Sequence, residues 1–420
     1  MESQNSQNPN ESQNHQSKPN LQNFKKTHFS SSSPPEIFVG QSNYPKVFAG
    51  ILSPVNFYNE NDSETDSNTE KFSMPEIWVK KNATIGEVMA YRRKMIYSRF
   101  VSDVKLAPRN SGSNSNSSTP NHLTSALNQI AMANNSVRAE FFLRKAPKFF
   151  PIKESSVPFI GNPAPLQNIR LEENPKIEKK VDYLVSDNYL KANHGIKELY
   201  KSKIEISNIV KILSAGLLGL KKQRKMVPTR WSITAIDDSL SKDMLKSIKL
   251  FPEISEFQLF HSEYVGNHYE ILLLPDKFSF EVIETRIPTK NPTELSKVIN
   301  EIEFWQDYEN FFPRKNYASS VTGAYYANRL ALCEYLTQIH RQASAIFFRE
   351  VRPEYNAPLG VGILREVTRK AFQSPPQKFQ TINEALNDIQ TRIFLPVSNF
   401  TNRSNILKNR GKQKRLSQFF

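Results

Sequence analysis

The chain has 420 residues, 38% of them hydrophobic, and its 56 basic side chains outnumber 41 acidic ones to give a net charge of +15 at pH 7. This balance favours a polyanionic partner, namely DNA, RNA or an anionic membrane face. The single cysteine, Cys333, excludes an internal disulfide and a cysteine-based zinc site, and no apolar run is long enough to span a bilayer.

The N-terminal part begins with a polar tail and continues with strands and a helix. Residues 1–33 are mostly Ser, Asn and Gln, which predicts disorder, and they lack the apolar region of a signal peptide, so we expect a cytoplasmic protein. The segment "EIFVGQSNYPKVFAGILSP" predicts two short strands around a turn that carries Asn43 and Pro45. Residues 84–100 have the apolar spacing of a helix.

The next segments alternate in type. Residues 122–134 and 187–218 are predicted to be helical, and "VRAEFFLRKAP" alternates as a strand does. The proline-rich stretch 147–175 is predicted to be irregular. Residues 229–237, "TRWSITAID", are predicted to form a strand that runs into a helix.

The C-terminal part combines a strand meander with helices. The runs "EFQLFHSEYV", "HYEILLLP" and "FSFEVIETRIP" predict three consecutive strands, the first two joined by a Gly266-Asn267 turn. A helix at about 321–342, a strand at 344–351, a helix at 360–373 and a helix in "TINEALNDIQTRI" follow. This mixture predicts an α+β or mixed α/β fold, a single compact mixed-sheet body, and not an alternating doubly wound sheet.

The densest internal basic run lies in "LKKQRKMVPTRW" and contains no acidic residue. Its cations are Lys221, Lys222, Arg224, Lys225 and Arg230. Five cations leading to Trp231 have the character of a segment that follows a phosphate backbone, while a solvated basic loop is the alternative. Just upstream, the glycines of "SAGLLGL" are predicted to close a helix C-terminus rather than to approach a phosphate.

Four carboxylates are candidates for chemistry. Asp237 and Asp238 follow the predicted strand, where they would either hold Mg²⁺ for phosphoryl chemistry or cap the N-terminus of the next helix. Glu350 and Glu366 each follow an arginine, which indicates either an ion-pair lock or the rim of a site. The sequence does not show which of these residues, if any, are catalytic. A cofactor, Mg²⁺, is expected only if the protein is an enzyme.

The C-terminal segment "GKQKRLSQFF" has a recognisable spacing. Gln413, Leu416, Phe419 and Phe420 fit the pattern Gln-x-x-aliphatic-x-x-aromatic-aromatic. One tight helical turn places Leu416 and the two phenylalanines on one side as an apolar plug, and Gln413 reaches a separate polar notch. The basic flank suits an acidic surface. The segment resembles the peptide that docks on the replication sliding clamp, PCNA.

The body of the chain resembles the archaeal Nre family of DNA repair proteins. The matching stretches are "IFVGQSNYPKVFAG", "VSDNYLKANHGIKELY", "ILSAGLLGLKKQRKMVPTRWSITAIDD", "YYANRLALCEYL" and "RQASAIFFREVRPEYNAPLGVGILREVTRKAF". The resemblance implies DNA damage repair coupled to the clamp.

The resemblance also implies an N-terminal and a C-terminal region. We assign residues 34–285 and 286–398 to them, after the tail 1–33 and before a flexible basic tail, 399–420, that carries the clamp-binding motif. Gln41 and Asn43 stand where the family pattern has Arg and Gly, and the cysteine cluster of some members is absent, so a zinc-dependent role does not carry over.

Three functional hypotheses follow. The first is a DNA repair factor that is recruited to the clamp and contacts DNA through its basic surface. The alternative is a metal-dependent nuclease, or another enzyme acting on nucleic acid, that uses the four candidate carboxylates. An RNA-binding or ribosome-associated protein would explain the charge but not the C-terminal motif.

Overall fold

The first of two mixed sheets is built from the N-terminal strands. The computed structural model describes residues 25–54, 74–105, 121–149, 160–288 and 302–412. The strands of this sheet are β1 (His28–Ser33), β2 (Ile37–Val39), β3 (Lys46–Pro54), β4 (Met95–Asp103), β5 (Val137–Leu143) and β6 (Asn162–Leu171). Their order is β1-β5-β6-β4-β3-β2. The β4–β6 pair is parallel, and the other neighbouring strands are antiparallel.

The second sheet follows later in the chain and also has six strands. They are β7 (Phe257–Tyr264), β8 (Asn267–Leu274), β9 (Ser279–Arg286), β10 (Phe304–Glu309), β11 (Ser344–Val351) and β12 (Gln377–Phe379). Their order is β10-β9-β11-β8-β7-β12, and β11 runs parallel to β9. The three predicted strands and the hairpin of β7 and β8 are confirmed. The meander is wrong in its last step, because β11 lies between β8 and β9.

Helices pack on these sheets and join them. They are α1 (Pro75–Lys80), α2 (Ile85–Arg93), α3 (Asn121–Met132), α4 (Lys179–Ser186), α5 (Ala192–Lys201), α6 (Ile206–Ser214), α7 (Thr229–Ile248), α8 (Gly323–Ile339), α9 (Gly362–Gln373), α10 (Ile382–Gln390), α11 (Ser398–Thr401) and α12 (Asn405–Lys412). None of the helices in the described ranges combines the length and apolarity that a bilayer crossing requires.

The long helix α7 connects the two halves. Its Ile236 and Leu240 are buried in the core of the first sheet, and its Leu245 and Ile248 are buried in the core beside the second sheet. The mixed α+β prediction is confirmed. Cys333 is fully buried on α8, and burial raises the pKa of its thiol.

The prediction of a strand at 229–237 is wrong, because these residues form the first half of α7. Tryptophan, isoleucine and threonine favour strands locally, but the buried residues Ile236 and Leu240 lie one helical turn apart and pack against the first core. Tertiary packing decides the conformation here.

Two further segments differ from the prediction. The helix predicted over 84–100 ends at Arg93, and Met95 begins β4, which pairs with β3 and buries Met95, Ile96, Tyr97 and Phe100. The stretch predicted to be irregular contains β6, whose prolines 163 and 165 lie where the strand pairs with β4 alone. Pro165 O accepts from Arg144 N at 2.8 Å, so the N–H side of both prolines faces away from β4. Pairing with β5 on that side covers only residues 166–171, so the missing proline N–H groups interrupt no ladder.

The prediction of disorder up to residue 33 is wrong for residues 28–33, which form β1. Ser31 and Ser33 of this strand are buried, and their hydroxyls donate to carbonyls: Ser31 to Pro54 at 3.0 Å and Ser33 to Leu52 at 2.6 Å. A satisfied hydroxyl costs little to bury, and composition does not reveal such partners. At the other end, residues 405–412 of the predicted flexible tail form α12.

Candidate nucleic-acid interface and central cavity

The basic run begins after a tight reversal at the end of α6. Gly216 has φ +75°, its N–H donates to Leu213 O at 3.0 Å, and the N–H of Leu217 donates to Ile212 O at 3.1 Å. These two bonds form the C-terminal cap predicted for this glycine segment. A Cβ on Gly216 would lie 2.7 Å from the carbonyl carbon of Lys225, so the basic run packs directly over the glycine.

The side chain of Arg224 is half-buried, and its guanidinium is occupied by partners within the protein. Its guanidinium donates to the carbonyl oxygens of Gly219 at 2.7 Å, Val185 at 2.8 Å and Asp187 at 2.7 Å. These bonds fix the turn between α6 and α7, and all three guanidinium nitrogens take part. Arg224 therefore has a structural role, and its predicted contact with DNA stays a prediction. Lys221, Lys222, Lys225 and Arg230 are exposed.

Two exposed aromatic rings lie beside this run. Tyr44 is 41% exposed and Trp231 is 46% exposed, and their ring centroids are 5.2 Å apart. Val104, at the end of β4, joins the two loops: its N–H donates to Pro45 O at 3.1 Å, and its carbonyl accepts from Met226 N at 2.8 Å. The Nζ of Lys225 lies 3.5 Å from the Tyr44 hydroxyl.

We call Tyr44, Trp231, Lys225 and Arg230 the aromatic–basic patch. Aromatic faces stack on nucleic-acid bases and flanking cations attract phosphates, a combination typical of surfaces that bind single strands. The charge pattern of the sequence indicates both cations, and Trp231 follows Arg230 directly in the chain. Tyr44 was not predicted, because the contact with Lys225 spans 181 residues.

A cavity of about 310 Å³ opens next to Arg230. It lies between the first sheet, helices α1, α2, α6 and α7, and the loop that leads into α9. Ile37, Phe38, Leu52, Trp78 and Met95 are among the apolar residues that line it. The charged residues that line it are Arg92, Lys211, Arg230, Arg365 and Glu36.

Below the cavity lies a buried network of charges centred on Arg365. This guanidinium is paired with Asp237 at 2.7 Å, Glu366 at 3.1 Å and Glu76 at 3.4 Å. Arg369 pairs in turn with Glu366 at 2.8 Å and with Glu334 at 2.6 Å. Four carboxylates thus share two guanidiniums, an excess that favours protonation of one carboxylate.

The pKa shifts in this network follow from burial. Burial raises the pKa of Glu366 to about 7, although Arg369 and Arg365 oppose the rise. Burial also raises the pKa of Asp237, against the pull of Arg365. Because α7 begins at Thr229, the predicted N-cap role of Asp237 and Asp238 is wrong: both lie inside the helix and hold arginines.

The four candidate carboxylates do not converge on one site. Asp238 pairs with Arg329 and, at 2.7 Å, with Lys242. The guanidinium of Arg329 also pairs with Glu309 at 3.0 Å. Glu350 instead accepts 3.0 Å hydrogen bonds from the backbone N–H groups of Phe394 and Leu395, and burial raises its pKa. Within the described ranges, no group of three or more His, Cys, Asp or Glu side chains is arranged to hold a metal ion.

Helix α12 leads towards the C-terminal motif from a fixed point. The buried carboxylate of Glu281, on β9, accepts from the Ser404 hydroxyl at 2.5 Å, from Asn405 N at 2.8 Å and from Ile406 N at 3.3 Å. A carboxylate at the first helical turn satisfies free N–H groups and favours the helix dipole. The motif residues Gln413, Leu416, Phe419 and Phe420 lie outside the described residues.

Two mixed sheets joined by α7, with a basic aromatic surface and a cavity between helices and the first sheet, define a two-part α+β protein with an anion-favouring face. The chain belongs to the archaeal Nre family: the pattern of the archaeal Nre N-terminal region matches residues 5–290, and that of the C-terminal region matches residues 309–419. No solved structure matches it.

Relatives extend along most of the chain. It is 32% identical to the DNA repair protein NreB of Archaeoglobus fulgidus over 92% of this chain and 91% of the relative. It is 33% identical to the DNA repair protein NreA of the same organism, over 86% and 84% of the two chains. It is 31% identical to the DNA repair protein NreA of Haloferax volcanii, over 87% and 82%.

Proposed function

We propose that the protein is a DNA repair factor that contacts DNA through the aromatic–basic patch and is recruited to the sliding clamp PCNA by its C-terminal motif. The relatives named as DNA repair proteins support the first part of this proposal. The observation that carries the DNA contact is the exposed Tyr44–Trp231 pair between two exposed cations. It points to a single-stranded or unpaired region of DNA, where base faces are accessible.

The contribution of Trp231 to DNA binding is tested by replacing it with alanine. Stacking of one base on an aromatic ring is worth about 1–3 kcal/mol, so Trp231→Ala should weaken single-stranded DNA binding by roughly fivefold to 150-fold. Fluorescence anisotropy with a labelled oligonucleotide measures this change. Phe394→Ala is the control, because Phe394 is also exposed but contacts Arg352 rather than the patch. Equal effects of the two substitutions would refute a specific stacking role.

The cations of the patch give an independent readout. Each phosphate contact contributes about 0.7 to the slope of log K against log salt for a single strand. Lys225→Gln and Arg230→Gln should each lower that slope by roughly this amount, whereas Arg224→Lys should leave it unchanged. A slope that does not respond to either of the first two substitutions would exclude these cations as phosphate contacts.

The spacing of Gln413, Leu416, Phe419 and Phe420 supports recruitment to the clamp. A few anchors carry most of the energy of such an interface, so truncating Phe419 or Phe420 to alanine should cost about 1–3 kcal/mol. Calorimetric titration of the full chain and its variants against the clamp from the same cell measures this loss. Lys414→Ala is the control and should mainly slow association and lower the salt sensitivity of binding, because one screened charge attraction is removed. Unchanged binding after removal of both phenylalanines would refute recruitment by this motif.

A further inference from the structure

The central cavity has the size of a small-molecule site. Its volume of about 310 Å³ falls at the lower end of the roughly 300–1,000 Å³ typical of ligand pockets. Much of its wall is apolar, and the rings of Phe38 and Trp78 contribute to it. Walls of this kind favour a flat apolar group over a bare ion.

Buried cations also face the cavity. Arg92 is 6% exposed, Lys211 is 3% exposed and Arg365 is 2% exposed, and each also contacts other groups of the protein. Burial lowers the pKa of Arg92 to about 10, which leaves it charged at neutral pH. The exposed Arg230 and the carboxylate of Glu36 also line the space. Arg365 is already paired with three carboxylates, so Arg92, Lys211 and Arg230 give the lining its excess of positive charge. Charge of one sign in a low-dielectric cleft concentrates ligands of the opposite sign.

Apolar walls and an excess of cations together select a ligand that has both an aromatic and an anionic part. We propose that the cavity binds one nucleotide, with the base against the apolar wall and the phosphate towards the cations. An uncharged base would leave the cations unused, and inorganic phosphate would leave the apolar wall exposed to water.

The nucleotide has two possible sources. One is a free mononucleotide. The other is a nucleotide extruded from a DNA strand, because Arg230 belongs both to the aromatic–basic patch and to the lining of the cavity, so a strand on the patch passes the mouth. Extrusion costs little from a strand that is already unpaired. The second source rests on the proposed function, and the first does not.

Calorimetry with free ligands tests the first source. Deoxyadenosine and thymidine monophosphates are titrated into the full chain, with the corresponding nucleosides and inorganic phosphate as comparisons. A monophosphate should bind at least about tenfold more tightly than either fragment, because charge-assisted hydrogen bonds add to the apolar contact. Lys211→Met and Arg230→Gln should each weaken binding by about tenfold. Lys222→Gln should not change it.

Fluorescence of a single 2-aminopurine within a single-stranded oligonucleotide tests the second source. When the wild type binds the oligonucleotide, the emission of 2-aminopurine should change, and this change should be at least about fivefold smaller with Lys211→Met. Trp231→Ala should instead weaken binding of the whole strand. Arg230 is exposed, so Arg230→Gln provides a variant without risk to the core. A response from either source that depends on Lys211 and Arg230 supports the site.

The inference is overturned if free monophosphates bind no better than their fragments and the 2-aminopurine signal is the same in wild type, Lys211→Met and Arg230→Gln. If anisotropy then still shows strand binding that depends on Trp231, the DNA contact stands and only the cavity site fails. If free monophosphates bind through Lys211 but no strand binds, the cavity site stands and the DNA contact fails.

Discussion

Replacing Arg224 separates a structural arginine from a DNA-contacting one. Its three hydrogen bonds to the carbonyls of Gly219, Val185 and Asp187 would contribute roughly 4.5 kcal/mol if each were worth the lower value for a charged donor. The side chain is only half-buried, so water replaces part of this contribution. We therefore expect Arg224→Met to lower the free energy of unfolding by about 2–3 kcal/mol.

Two variants distinguish geometry from charge. Arg224→Lys keeps the charge, but one ammonium group cannot reach three carbonyls as the planar guanidinium does, so most of the loss should remain. Lys222→Met removes an exposed cation from the same turn and should stay within about 0.5 kcal/mol of wild type.

Urea unfolding followed by circular dichroism measures all three variants, with the urea dependence of the free energy compared to confirm that the unfolded states are alike. The reasoning is refuted if Arg224→Met matches Lys222→Met, because the carbonyls would then not depend on the guanidinium. It is also refuted if Arg224→Lys is as stable as wild type, since the planar guanidinium with its three donor nitrogens would then not be needed.

Two further substitutions probe buried carboxylates. The pKa of Glu366, raised from 4.5 to about 7, means that the folded state retains a proton that the unfolded chain loses, so the free energy of unfolding should fall as pH rises through that window. Glu366→Gln should flatten this fall in urea titrations, and an unchanged pH slope would contradict the assignment. Glu281→Gln replaces one carboxylate oxygen, which accepts from the N–H groups of α12, by an amide NH₂ group, which donates. Hydrogen exchange across residues 405–412 should therefore be faster in the variant. Equal protection of these amides in wild type and variant would argue against the anchoring role of Glu281.

Local patterns were sufficient for β7, β8, β9 and β11 of the second sheet, because each alternates or is continuously apolar between clear turn signals. The two edge strands β10 and β12 are short or largely polar and were not predicted. The turn at Gly266 and the cap at Gly216 were also predictable, since both need φ angles that glycine adopts freely. The start of α7 could not be predicted from the local pattern. Trp231 and its neighbours favour a strand, but packing against the first core selects a helix.

The candidate site was predictable only in part. The exposed cations Lys225 and Arg230 follow from the charge pattern, but Arg224 has the same sequence signature and a different role. Two of its partners, the carbonyls of Val185 and Asp187, are distant along the chain. All three partners are backbone carbonyls, which every residue carries, so no residue type in the sequence identifies them. The pairing of Tyr44 with Trp231 likewise depends on Val104 holding two loops together.

The anchoring of α12 by Glu281 sets the length of a tether. Eight residues follow Lys412, and a fully extended chain spans at most about 3.3–3.6 Å per residue, so Phe420 reaches no further than about 28 Å from the end of that helix. A partner that binds the last residues, as proposed, would stay within that distance of the end of α12, and its effective concentration towards the rest of the protein would be high. A flexible insert after Lys412 would lower the effective concentration of a bound partner towards the rest of the protein. It would change no contact within the protein or within the partner.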